Sequence, residues 1–256
     1  MEIFNRFLRP DKIPKRQDIQ FSYLSHQGLV RSSNEDSGLL LPDLGTWAIA
    51  DGMGGHNCGE VASAIALTVM HHSIVAGNSL TTAIQTAHRT IQEQAQNDIN
   101  KKGMGTTIVA VQMIADGYQI AWVGDSRAYL WRSGLKQLTK DHSYLQTILD
   151  QGLIDEETAK THPYKNVITQ ALGSFEMESL QIGVIEEKWF KNDILLLCSD
   201  GLSREITDSK IEAILAGDKK LEEKAELLLT EVLANGGNDN VTLILLTCNG
   251  VIQEVT

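Results

Sequence analysis

Thr106-Thr-Ile-Val-Ala-Val-Gln-Met-Ile-Ala-Asp-Gly-Tyr-Gln-Ile-Ala-Trp-Val-Gly-Asp-Ser-Arg-Ala-Tyr-Leu-Trp131 decides the fold class. It holds three strand-like runs, Thr106–Met113, Tyr118–Val123 and Ala128–Trp131, rich in β-branched and aromatic residues. Ala115-Asp-Gly117 between the first two is hairpin chemistry, so antiparallel pairing is expected. Upstream, Gly45–Asp51 reads as a buried strand running into an acidic turn. Two helices follow it, Gly59–Val75 with an apolar face and Leu80–Lys101 with an amphipathic period from a Thr81-Thr82 start. Downstream, Asp141–Lys165 is polar and helical, with Asp155 able to cap a short helix that must end before Pro163. Asp193–Cys198 is an apolar strand, Asp208–Leu215 and Lys219–Ala234 are helical, and Val241–Thr247 is a last strand. Strands that cluster in hairpins and helices that come in pairs favour an α+β fold, antiparallel sheets covered by helix pairs, over a parallel winding.

Length and composition agree with one sizeable core: 256 residues, of which 42% are hydrophobic. Residues 1–18 read as a basic N-terminal tail, 19–248 as one domain and 249–256 as a C-terminal tail. No unbroken apolar run reaches the roughly 18 residues of a bilayer crossing, so no membrane span is expected and the cytoplasm is the default location. Acidic residues outnumber basic ones, 33 to 22, for a net charge of −11. With no segregated basic stretch, such a surface repels a nucleic-acid backbone, and nucleic acid is excluded as a partner. Cys58, Cys198 and Cys248 form no metal pair or CxxC and read as buried thiols.

The chemistry gathers in acidic turns: Asn34-Glu-Asp36, Asp51-Gly-Met-Gly-Gly-His56, Gly124-Asp-Ser-Arg127, Ser199-Asp-Gly201 and Gly237-Asn-Asp-Asn240. Singly, each is ordinary turn chemistry. Jointly they are harder to dismiss, because Asp51 and Asp200 put a carboxylate straight after a buried strand, where a cation or donor must offset desolvation. Mg²⁺ and Mn²⁺ take oxygen ligands and keep several waters, so few carboxylates and uncrowded glycines suit them. Gly52, lacking a Cβ, can offer its carbonyl to a metal. Zinc is disfavoured: there is no HExxH, and His71 and His72 are helix neighbours facing apart.

Gly-Leu-Val-Arg31-Ser-Ser-Asn-Glu-Asp36, Ala-Asp51-Gly-Met-Gly-Gly-His56, Gly105-Thr-Thr107, Val-Gly-Asp125-Ser-Arg, Leu-Thr-Lys-Asp141-His-Ser, Ala-Leu-Gly173, Cys-Ser-Asp200-Gly-Leu and Asn-Asp239-Asn-Val-Thr242 occur in this order. From about residue 20 to 247 the series resembles the bacterial branch of the PPM (PP2C-type) metal-dependent Ser/Thr phosphatases. The resemblance implies a four-layer α-β-β-α sandwich of two antiparallel sheets flanked by helix pairs, and a Mn²⁺ or Mg²⁺ pair. By position Asp51 would bridge both ions, Asp200 and Asp239 would complete the first, and the Gly52 carbonyl the second. Asp36, with Glu35 beside it, would hold the second directly or through water, and Asp125 would help bind a third, weaker ion. Arg31 would clamp the phosphate, and His56 would protonate the leaving seryl or threonyl oxygen. A metal-bridged hydroxide would attack phosphorus without a phosphoenzyme. Residues 143–165 match a flap beside the site. Phosphoprotein substrates, a cognate Ser/Thr kinase and a role in signalling are implied with it.

Asp141, His142, Arg127, Arg132 and Arg204 are assigned structural or surface roles. Cys198-Ser-Asp-Gly-Leu-Ser-Arg204 satisfies the Cx₅R spacing of cysteine phosphatases, but Asp200 inside that loop and the apolar strand before it oppose a thiolate. A non-catalytic phosphoprotein binder is disfavoured because every expected acid is present. A regulator that dephosphorylates an anti-sigma antagonist would share the chemistry and differ only in substrate.

Overall fold

A computed structural model describes residues 19–54, 58–115, 117–160, 162–175 and 179–248. The decisive stretch pairs as expected. Strand β5 (Ile108–Ile114) turns into β6 (Gly117–Val123) in an antiparallel hairpin, and β7 (Arg127–Trp131) follows at once. The strand starts two residues later than its sequence suggests, because Gly105–Thr106 forms a separate short β4 against the end of β3 (Thr46–Met53).

The other strands are β1 (Ile19–His26), β2 (Asp36–Leu41), β8 (Leu135–Gln137), β9 (Gly183–Glu187), β10 (Ile194–Cys198) and β11 (Val241–Cys248). One sheet runs β1-β11-β10-β7-β8 and the other β2-β3-β5-β6-β9, with β4 joined to β3. Every pairing is antiparallel. The helices are α1 (Cys58–Val75), α2 (Leu80–Asn97), α3 (Tyr144–Asp150), α4 (Glu156–Lys160), α5 (Asp200–Ser203), α6 (Asp208–Ala216) and α7 (Leu221–Ala234). Helix α2 starts at Ser79 rather than at the threonines, since the Ser79 hydroxyl accepts from the Thr82 amide. Asp155 caps α4 as expected, its Oδ1 accepting from the Thr158 amide at 2.8 Å.

Strand alternation assigns each side chain to a layer. Ala48, Ala50, Ala110 and Ala121 face α1 and α2, where Ala62, Ala66, Ala83 and Ala87 meet them in a close seam. Trp47, Ile49, Val111 and Ile120 point the other way, into the space between the sheets, against Leu130, Leu195, Ile244 and Leu246. On the far side Leu196, Cys198, Leu243 and Leu245 pack under α5, α6 and α7. Three cores separate four layers, the expected α-β-β-α sandwich. Helix α1 is long and apolar enough to cross a bilayer by composition alone, but half of it is buried within this fold. All three cysteines are buried thiols.

The two sheets exchange strands at one end of the sandwich. There β2, β7 and β11 begin while β3, β6 and β10 finish. Gly124 makes the crossing from β6 to β7 at φ 104°, a conformation L side chains rarely adopt.

Candidate active site at the strand ends

Because the strands of both sheets end together, the acidic turns they lead into share one place. Arg31, Asp51, Gly52, Asp125, Asp200 and Asp239, with Glu35, line a cleft of about 260 Å³. Asp36 stands opposite Asp51 in the β2–β3 register and is buried to 8% exposure. Thus the structure brings together every expected site residue it describes; His56 lies outside the described residues.

Asp51 and Asp36 are held by neighbouring hydroxyls and amides. The Asp51 carbonyl accepts from the Thr107 amide (2.8 Å) and the Thr106 hydroxyl (2.9 Å), while the Asp51 amide donates to Thr107 Oγ1 (3.2 Å). Ser199 Oγ donates to Asp36 Oδ2 at 2.8 Å and in turn accepts from the Thr242 amide at 2.9 Å. Asn240, not singled out by sequence, latches the loop that carries Arg31 and Glu35. Its Nδ2 donates to the Gln27 and Ser33 carbonyls, and its Oδ1 accepts from the Glu35 amide at 2.9 Å. At Gly52 a Cβ would run into the Gly59 carbonyl and come within 2.7 Å of the Glu35 carbonyl, so this backbone approach requires glycine.

The electrostatics are those of carboxylates crowded out of water. Burial, then Asp200, Asp36, Asp125 and Asp239, push Asp51 well above the usual carboxylate range. Burial and neighbouring acids lift Asp200 to about 7, and burial lifts Asp36 to about 6. Asp125 and Glu35 are raised by burial as well. Asp36 Oδ1 is buried without a hydrogen-bond partner. A buried acceptor left over beside repelling carboxylates, with all-oxygen donors and a glycine cradle, fits hard divalent cations.

Among the described residues, no three His, Cys, Asp or Glu side chains are already gathered as a ligating group. Two arginines reach in among the acids instead. Arg31 Nη2 bonds Asp239 Oδ2 at 2.8 Å from the rim, where Arg31 is half exposed. Arg204 Nη2 bonds Asp125 Oδ2 at 2.9 Å and Asp200 Oδ2 at 2.5 Å. Arg204 was assigned no site role by sequence, and the structure corrects that: α5 carries it back over Asp200 into the cleft wall.

The structural roles expected of Asp141 and Arg127 hold. Asp141 grips the Arg127 guanidinium at 2.7–3.1 Å, and Arg127 also donates to the Tyr129 hydroxyl. Arg132 likewise clasps buried Asp193. His142 does more than fill space. Its Nδ1 accepts from the Gly124 amide at 3.2 Å and its own amide donates to the Gly124 carbonyl at 2.9 Å, fixing the turn that presents Asp125. Cys198 is fully buried under α5–α7 and its thiol is pushed up to about 12 by burial, so the Cx₅R spacing is coincidence.

A protein phosphatase 2C family profile matches residues 18–146. The serine/threonine phosphatase Stp of Listeria welshimeri is 36% identical over 241 residues, spanning 89% of this chain and 95% of that protein. The crystal structure of the Mycobacterium tuberculosis serine/threonine phosphatase PstP superposes with a TM-score of 0.81 at 35% identity, covering 91% of this chain and 99% of that one. The catalytic domain of PstP in complex with two manganese ions superposes with a TM-score of 0.78 at 33% identity, over 90% and 97% of the two chains.

Proposed function

The chain belongs to the protein phosphatase 2C family and is a serine/threonine phosphatase, and from that premise we propose that it hydrolyses phosphoseryl and phosphothreonyl residues with a Mn²⁺ or Mg²⁺ pair and no phosphoenzyme. The observation that carries this reading is the cleft itself, where Asp36, Asp51, Asp125 and Asp200 are buried together and burial, then their neighbouring acids, raises the carboxyls above their usual range. The manganese pair held by the PstP domain supports it. Asp51 would touch both ions, Asp200 and Asp239 the first, and Asp36, Glu35 and the Gly52 carbonyl the second. When bound, such a pair neutralises the phosphate and acidifies a water to serve as nucleophile at neutral pH.

The chain's own groups do the rest. Arg31 stands at the rim with its planar fork toward Asp239, and a phosphate dianion can take over its donors in a bidentate clamp that lysine could not form. His56 is proposed to hold the proton that the leaving seryl or threonyl oxygen needs. Thr106 and Thr107 fix the backbone of Asp51, and Ser199 holds the Asp36 carboxylate. Asn166 and Ile168, just past residues 143–165, line the same cleft, which supports reading that segment as the flap beside the substrate. One catalytic domain over 19–248 with tails on either side, a cytoplasmic location and a signalling role opposite a Ser/Thr kinase complete the proposal.

Chelation tests it. After dialysis against EDTA, turnover of a phosphothreonine peptide should vanish and return with Mn²⁺ or Mg²⁺. Undiminished turnover in excess chelator would overturn the two-ion reading.

A further inference from the structure

Arg204 caps the short α5 helix four residues after Asp200, and one of its nitrogens bonds two acids at once. Those acids flank two paired strands of one sheet: Asp125 lies in the crossing just before β7, and Asp200 just past the end of β10, where Cys198 stands opposite Arg127. Both are buried to 8% exposure. A single positive nitrogen between two buried carboxylates occupies the place of a bridging cation. Asp125 is also the residue expected to help bind a third, weaker metal.

Resting on the two-ion reading above, we infer that Arg204 is the resident cation of that third site, so that a third divalent ion can enter only by displacing its guanidinium from Asp125 and Asp200. A guanidinium suits the role because it keeps its charge at any working pH and its planar fork retains hydrogen-bonding directions that an ammonium lacks. The Asp200 oxygen that faces Arg204 leaves the other free for the first ion of the pair. Asp239, by contrast, meets Arg31 at the half-exposed rim, where substrate can compete for the donors. The two arginines therefore divide the cleft: one answers to phosphate, the other stands in for metal.

The test counts ions on the full metal-free chain titrated with Mn²⁺, reading free Mn²⁺ by electron paramagnetic resonance. Wild type should take up two ions, with a third only at much higher concentration. Arg204→Met should bind the third at least about tenfold more tightly, since the charged hydrogen bonds that wild type must break are absent. Adding Asp125→Ala should remove that gain. Arg204→Gln keeps a donor for Asp200 and should shift the isotherm in the same direction, should the methionine variant not fold. Isotherms of the neutral variants that superimpose on wild type would overturn the inference while leaving the pair intact. A wild-type chain that takes up no Mn²⁺ would overturn the two-ion reading and this inference with it.

Discussion

Cys198 and Asp200 stand two residues apart, both buried, and burial raises the pKa of both. The consequences differ because a thiol held near 12 stays a thiol, whereas a carboxyl held near 7 ionises readily once a cation arrives. Cys198→Ser should therefore keep kcat within a few-fold of wild type on p-nitrophenyl phosphate. Asp200→Ala should abolish turnover yet leave a folded chain by circular dichroism, since it relieves repulsion among the acids. Total inactivation of folded Cys198→Ser, or normal kcat in Asp200→Ala, would reverse these assignments. The acids were legible in sequence because burying a carboxylate after an apolar run demands compensation, and that demand is local. Arg204 was not legible: only the turn of α5 brings it onto Asp125, 79 residues away. The structural role expected of His142 holds, but its partner, the backbone of Gly124 18 residues away, was not legible.

At the scale of elements, the site depends on how closely β3, β2 and the start of α1 approach. Gly52 donates its amide to the Glu35 carbonyl at 3.1 Å, and Gly59 of α1 closes over it. A methyl group at Gly52 has nowhere to go, because what it meets is backbone rather than a flexible side-chain end. Gly52→Ala should cost about 2 kcal/mol or more in denaturant unfolding, as overpacking generally does. It should also raise the Mn²⁺ concentration needed for half-maximal activity; an unaltered midpoint and metal titration would remove Gly52 from the site's architecture. The central strands were legible as apolar runs because both faces are covered. Edge strands were not. Strand β1 carries its alternation Ile19, Phe21, Tyr23 on a half-exposed ribbon, and that period of two was the available signal. Strand β9 offers little to read, with Glu186 and Glu187 in a five-residue run held partly by a Gln119–Glu186 hydrogen bond.

The whole molecule is an acidic protein, net −11, whose fold brings Glu35, Asp36, Asp51, Asp125, Asp200 and Asp239 together at one end of a sandwich. Three apolar cores hold that end together, and burial, with repulsion among the acids second, raises the Asp51 carboxyl. A carboxyl whose folded pKa lies above its unfolded value contributes stability that is fully present below the unfolded pKa of 3.8 and lost as pH rises through about 6 for Asp36 and about 7 for Asp200. His88 and His142 act in the opposite sense. Burial lowers both, so their contribution is present above the ordinary 6.5 and fades as pH falls below it. A melting curve of the metal-free chain alone would mix these trends. The difference between Mn²⁺-saturated and metal-free melting temperatures separates them, because the histidine contribution is common to both. Mn²⁺ must displace protons from the acids at low pH and finds them already ionised at high pH. The Mn²⁺-induced rise in Tm should therefore grow from about pH 5 to about pH 8, most steeply between about 6 and 7 where Asp36 and Asp200 lose their protons. A rise of constant size across that range would mean that the acids are ionised before metal arrives, and that the arginines already balance the charge of the cleft.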